Sequence, residues 1–175
     1  MSRIFSLRGR VTCPDNGVLA NHEIFDYQSP DRTKGWRVLY AYVWPRDWNK
    51  VTANGQGFLA LVSALATDTG KFNENELSDA SENRLFAWGQ QTYNLRNANV
   101  HFITPNATPL GRMDMLVDPD TILTKELYLN IAVATDHDSS SNRDYSYLII
   151  VQEENITPAQ SVFQQIKGMG QDIDA

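Results

Sequence analysis

The chain has 175 residues, 42% of them hydrophobic and 21% charged, with a single cysteine and a formal net charge of −6. This is enough chain to bury roughly 70% of its unfolded surface in one core, and the composition is far from that of a disordered protein. No run approaches the ~20 apolar residues of a membrane helix, no secretory leader is expected because charges interrupt the opening residues, and one cysteine excludes both an internal disulfide and a multi-cysteine zinc site.

The charge is unevenly placed. Residues 1–50 carry eight Lys/Arg against five Asp/Glu, a balance of +3, and residues 51–175 carry seven against sixteen, a balance of −9. Arg3, Arg8 and Arg10 are too few to make a basic arm, so no strong nucleic-acid binding is expected. A mildly positive end could instead guide head-to-tail packing against a negative neighbour.

Strand patterns dominate in chain order. Residues 4–13 alternate, with Phe5, Leu7, Gly9, Val11 and Cys13 on one side. Pro14, Asp15, Asn16 and Gly17 then read as a turn, and a short strand is predicted near 24–27. Residues 36–44 form the clearest strand. A strict two-residue period puts Trp36, Val38, Tyr40, Tyr42 and Trp44 on one face, and apolar residues on both faces predict a central strand covered on each side.

The apolar run 57–69 fits a buried strand or a buried helix, with its strand-like neighbours favouring the strand. Residues 70–83 are polar and acidic and read as a surface excursion. Further strands are predicted at 84–93, 100–104, 112–117, 122–134 and 145–152. The polar connection 135–144 predicts that the last two form a long hairpin. Thr157, Pro158 and Gln160 announce a helix over about 158–168 through a capping box and a proline at its first position. Val162, Phe163, Ile166 and Met169 recur on one face, and the helix is expected over an end or edge of a sheet. The whole predicts one domain over 1–175: an all-β antiparallel sandwich, jelly-roll-like, with one short C-terminal helix.

Catalytic signatures are weak. Gly55, Gly57 and Ala60 fit a loose dinucleotide pattern without the strand–turn–helix setting it needs. His22-Glu23 lacks the second histidine of a zincin motif, and Asp136-His137-Asp138 lies in a polar loop, while His101 alternates as a half-exposed strand residue. Asp114, Asp118 and Asp120 offer oxygen ligands, yet Asp118-Pro119-Asp120 is also an ordinary turn opener. Cys13 falls on an apolar face and reads as a buried, inert thiol. Asn106 and Asn155 each open a glycosylation sequon, read as chance matches. No catalytic residue, metal ligand or cofactor is assigned, and an enzyme is not expected.

The aromatic concentration Trp36, Tyr40, Tyr42, Trp44 and Trp48 is the one feature open to several uses: inter-sheet core, subunit contact, or a stacking platform for sugars. Two function classes follow. The first is a self-assembling structural protein, a coat or accessory protein of a virus or phage particle, found in the virion or the cytoplasm of the producing cell. It would pair with copies of itself and with other virion proteins, without a membrane. The second is a carbohydrate-binding, lectin-like module.

Overall fold

A computed structural model of the chain describes residues 2–27, 33–46, 58–94, 114–135 and 142–169. Eight strands are formed among the described residues: β1 (Ile4–Pro14), β2 (Gly17–Asp26), β3 (Lys34–Pro45), β4 (Phe58–Ala66), β5 (Leu85–Asn94), β6 (Leu116–Val117), β7 (Glu126–Thr135) and β8 (Asn142–Asn155), followed by the helix α1 (Pro158–Met169). They make two antiparallel sheets, one of three strands in the order β1-β8-β3 and one of five in the order β2-β7-β4-β5-β6. The chain is an all-β sandwich with a short C-terminal helix. The predicted strand at 100–104, together with Trp48, Gly55, Gly57, His101, Asn106 and His137, lies outside the described residues.

The pairings nest. β1 meets β8, β2 meets β7, β4 meets β5, and Asp114, just before β6, bridges to Tyr42 of β3. Successive pairs alternate between the sheets, as in one long ribbon rolled over itself, an order compatible with jelly-roll wrapping. The segment after Asp114 then crosses to the other sheet, where Leu116 and Val117 pair with β5.

One core joins the sheets. From the three-stranded sheet come Val11, Cys13, Trp36, Val38, Ala41, Val43, Tyr145, Ile149 and Val151; from the other come Leu59, Leu61, Leu65, Leu127, Leu129, Ile131 and Val133. Alternation in β7 and β4 thus does what its period implies, one parity to the core and the other outward. Gly9 of β1 sits opposite Tyr147, whose ring occupies the space that a side chain at position 9 would need. At the turn between β1 and β2, Asp15 accepts hydrogen bonds from the Arg143 guanidinium at 2.9 and 3.2 Å, and both are buried. Burial makes such a pair weak evidence of added stability, whereas removing one partner alone leaves a buried charge uncompensated.

Four expectations are corrected. First, residues 122–134 and 145–152 do not form a hairpin: β7 lies in the five-stranded sheet and β8 in the three-stranded one. Alternation specifies faces but not which sheet a strand joins. Second, β2 is ten residues long, not a short strand at 24–27, because irregularities at Leu19/His22 and Glu23/Phe25 break its period. Asn21 there adopts φ 57°, the left-handed region that asparagine tolerates. Third, β3 is not a central strand. Among the described residues it ends the three-stranded sheet, with β8 on one side and only the isolated bridges to Asp114 and Leu123 on the other. Fourth, its aromatic stripe is split between two faces, as described below.

The ambiguous run 57–69 forms strand β4, at the centre of the larger sheet. The 70–83 segment is more than a polar excursion. Its Phe72 and Leu77, the latter in a 3-10 turn at Glu76–Ser78, are buried against Ala64, Ala66, Leu85, Tyr128 and Ala132, forming a second, smaller core outside the five-stranded sheet.

Candidate functional site

The pairing of β3 with β8 slips by one residue between Val38 and Tyr40, which face Val151 and Ile150 in turn. Leu39 is the extra residue of a bulge. Because side chains alternate strictly, one inserted residue exchanges the two faces of everything beyond it. Before the bulge Trp36 and Val38 point into the core; after it Ala41, Val43 and Pro45 do, and Tyr40, Tyr42 and Trp44 point outward. The five aromatic candidates are therefore not one stripe. Trp36 is core, packed edge-on to Phe25 at 5.7 Å and Tyr27 at 3.9 Å between ring centroids, both from the β2 end of the opposite sheet. Trp48 lies outside the described residues.

The remaining three build a surface. Tyr40 is half exposed, and its ring lies nearly parallel to that of Tyr42, 19° between planes at 6.5 Å. The register across the sheet sets Tyr40 beside Ile150 and Ser6, Tyr42 beside Leu148 and Arg8, and Trp44 beside Ser146 and Arg10. Leu148 and Ile150 thus continue the apolar strip onto β8. Arg8, Arg10 and the exposed Arg46 border it, and among the described residues one carboxylate, Asp144, lies with them, pairing with Arg10 at 3.8 Å and accepting a hydrogen bond from Thr12 at 2.7 Å.

The second surface is α1. Its start is the capping box that the sequence announces: the Thr157 N–H donates to Gln160 Oε1 at 2.8 Å, and the Gln160 N–H donates to Thr157 Oγ1 at 3.2 Å. Its orientation is inverted relative to an ordinary surface helix. Ser161 is buried and Gln164 and Gln165 are half-buried, whereas Val162, Phe163 and Ile166 are 42%, 66% and 60% exposed. The inner contacts are polar. Gln164 Nε2 donates to the Asp120 carbonyl at 3.1 Å, and Lys167 Nζ meets Asp118 Oδ2 at 3.0 Å.

Of the other sequence candidates, Asp118, Cys13 and His22 lie among the described residues with partners of their own. Asp118 accepts hydrogen bonds from the Asp120 N–H on one oxygen and from Thr121 Oγ1 and Lys167 on the other. Partial burial opposes its ionisation, but these donors outweigh it and hold the carboxyl below the ordinary range. The segment is a turn that also anchors α1. Among the described residues no group of three or more His, Cys, Asp or Glu side chains is placed to hold a metal. Burial pushes the Cys13 thiol up to about 11, so little thiolate exists near neutral pH. His22 rests edge-on against Tyr147, and burial lowers its pKa. The described residues include no helix long and apolar enough to cross a membrane.

Sequence reasoning missed the outward face of α1 and the part played by Leu148 and Ile150. Both had a signal. Residues 145–151, Tyr-Ser-Tyr-Leu-Ile-Ile-Val, are apolar in both parities at their centre, and the polar side of α1 holds serine and glutamines where a solvated helix face usually holds charges.

No protein-family model matches the chain, and no curated protein matches it either.

Proposed function

We propose that this chain is a non-enzymatic structural protein that assembles with copies of itself, as a coat or accessory protein of a virus or phage particle. The observation that carries the reading is the orientation of α1, a capped amphipathic helix whose polar side is turned to the body and whose Val162, Phe163 and Ile166 are turned away from it. Leaving three large apolar side chains in water forgoes roughly 25 cal/mol per Å², and an oligomer partner recovers that. Tyr40, Tyr42, Trp44, Leu148 and Ile150 supply a second apolar surface on a different element, and aromatic residues with arginine are enriched in subunit contacts. The nested pairing fits a jelly roll, which serves viral capsid and lectin domains alike, so the choice between those functions rests on the surfaces. The acidic balance argues against a coat that condenses nucleic acid through a basic tail. Other virion proteins are natural partners, and the virion or the producing cell's cytoplasm is the expected location.

Sedimentation velocity and electron microscopy of the purified chain, across concentration and salt, test the proposal. Oligomers or particles are expected. A strict monomer under every condition overturns it.

One observation favours a second reading. The near-parallel Tyr40 and Tyr42 rings resemble a platform on which sugar rings stack. A carbohydrate-binding module would show saturable quenching of tryptophan fluorescence with some member of a glycan panel, and a flat response across the panel removes this reading.

A further inference from the structure

We infer that the contact between copies is head-to-tail: the apolar stripe of α1 from one copy seats on the Tyr40–Tyr42–Trp44 face of the next. This rests on the self-assembly reading and goes further by naming both halves of the contact. Charge selects it. Among the described residues, the end of the sandwich that carries α1 holds Asp68, Glu82, Asp118, Asp120, Glu126 and Glu154 against Lys125, Lys167, Arg84 and Arg37, whose guanidinium reaches the Pro119 carbonyl, whereas the aromatic face is bordered by Arg8, Arg10 and Arg46 against Asp144. A two-fold contact of α1 with α1 would set carboxylates against carboxylates, and sheet against sheet would set arginines against arginines. Only the unlike pairing joins an acidic rim to a basic one around apolar centres.

The dimensions agree. From Ala159 to Ile166 the helix stripe runs about 10 Å at the helical rise, and from Tyr40 to Trp44 the strand stripe runs about 13 Å. The two surfaces belong to different parts of β3's surroundings. The chain entering α1 is tied to the start of that strand by the Ile156 N–H donating to the Thr33 carbonyl at 2.8 Å, and the outward aromatics lie beyond the bulge. A contact between two different patches leaves one of each unfilled at the ends, so it continues into a ring or an open array.

Two variants test this together. Phe163→Glu with Ile166→Glu disables the helix side, and Tyr42→Thr with Trp44→Thr disables the sheet side while keeping residues suited to strands. Each alone is expected to raise the dissociation constant about thirtyfold or more. Mixed in equal amounts, they are expected to give a 1:1 dimer and nothing larger, since each retains the half that the other lacks. Circular dichroism checks folding, and Arg8→Glu with Arg10→Glu replaces the sheet variant should it not fold. A mixture that stays monomeric, or a sheet variant that assembles like the parent, overturns the head-to-tail contact while leaving self-assembly in place. A parent chain that never assembles overturns both.

Discussion

The outer faces of the two sheets make an instructive pair. Both strands at issue place apolar side chains on the parity that points away from the core, but the two faces are finished differently. On the five-stranded sheet the outward residues of β4 and β7 include the buried Ala64, Ala66 and Ala132, so another layer of chain can approach closely there. The 70–83 segment takes that position and buries Phe72 and Leu77 there. On the three-stranded sheet the outward residues are Tyr40, Tyr42, Trp44, Leu148 and Ile150, with Tyr40 half exposed. Small residues under a local cover make a core; on the other sheet, large outward residues stand beside arginines, the surface proposed for contact. The difference lies in the size of the outward residues and in the cover that the 70–83 segment gives to one face.

Truncations on the two faces should therefore separate stability from association. The largest effect is expected from Leu77→Ala, which opens a cavity in the covered face; a loss of roughly 2–5 kcal/mol is expected by denaturant titration. A loss under 0.5 kcal/mol would mean that the excursion is no part of the folded core. Next comes the staple that holds this cover in place. Asn21 Nδ2 donates to the Gly70 carbonyl at 2.8 Å, the Gly70 N–H returns a bond to Asn21 Oδ1 at 2.9 Å, and the Asn21 N–H donates to Asn130 Oδ1 at 2.7 Å. Asn21→Ala removes two of these and places alanine at φ 57°; a loss of roughly 1–3 kcal/mol is expected, with faster amide exchange around residue 70. Exchange unchanged there would remove the staple from the account.

How much of this could be read in advance depends on what a side-chain period contains. The sandwich class, the strand at Phe58–Ala66 and the capping box at Thr157 follow from alternation and local hydrogen-bonding chemistry, which are short-range. The split of the aromatic stripe does not. Nothing between Trp36 and Trp44 marks Leu39 as a bulge, because Leu39 is as apolar as its neighbours, and the slip is visible only against Ile150 and Val151 more than a hundred residues away. The hairpin that the polar connection 135–144 predicts fails likewise, since the choice of sheet is set by the nested pairing as a whole. For α1 the period identified the apolar stripe correctly, but amphipathicity does not say which side meets the body. Gln164 and Lys167 reaching the turn at Asp118–Asp120, with Ser161 buried beside them, reverse the usual assignment.

The helix lies between the two faces in expected effect. Thr157→Ala removes the cap and should cost ~1 kcal/mol of helix stability; since Thr157 and Gln160 cap each other, Gln160→Ala should share part of that loss. An unchanged melting temperature for both would detach α1 from the cooperative unit. Its docking also carries a pH signature. The Asp118 carboxyl is held below its ordinary range, so its contribution is fully present above about pH 4 and is lost as pH falls through the lowered folded value. Parent and Asp118→Asn should differ in melting temperature at neutral pH and converge in acid. A gap that does not change with pH would assign the anchoring of α1 to Gln164 and Asp120 instead.

The smallest stability effect, and the sharpest contrast with Leu77, is expected from Trp44→Ala. Were this ring in the inter-sheet core, its removal would cost ~3–5 kcal/mol. The bulge instead turns Trp44 to the outer face, where truncation away from a buried feature usually changes stability by about 0.5 kcal/mol or less. The same change should weaken association, because the ring stands in the row with Ser146 and Arg10. Denaturation midpoint and sedimentation measured on one sample distinguish the cases. A midpoint that falls by several kcal/mol would put the ring back in the core and the bulge out of the solution structure. A midpoint that holds while association is lost ties the inserted Leu39 to function: one extra residue in β3 converts what a regular strand would have buried into a surface for another copy.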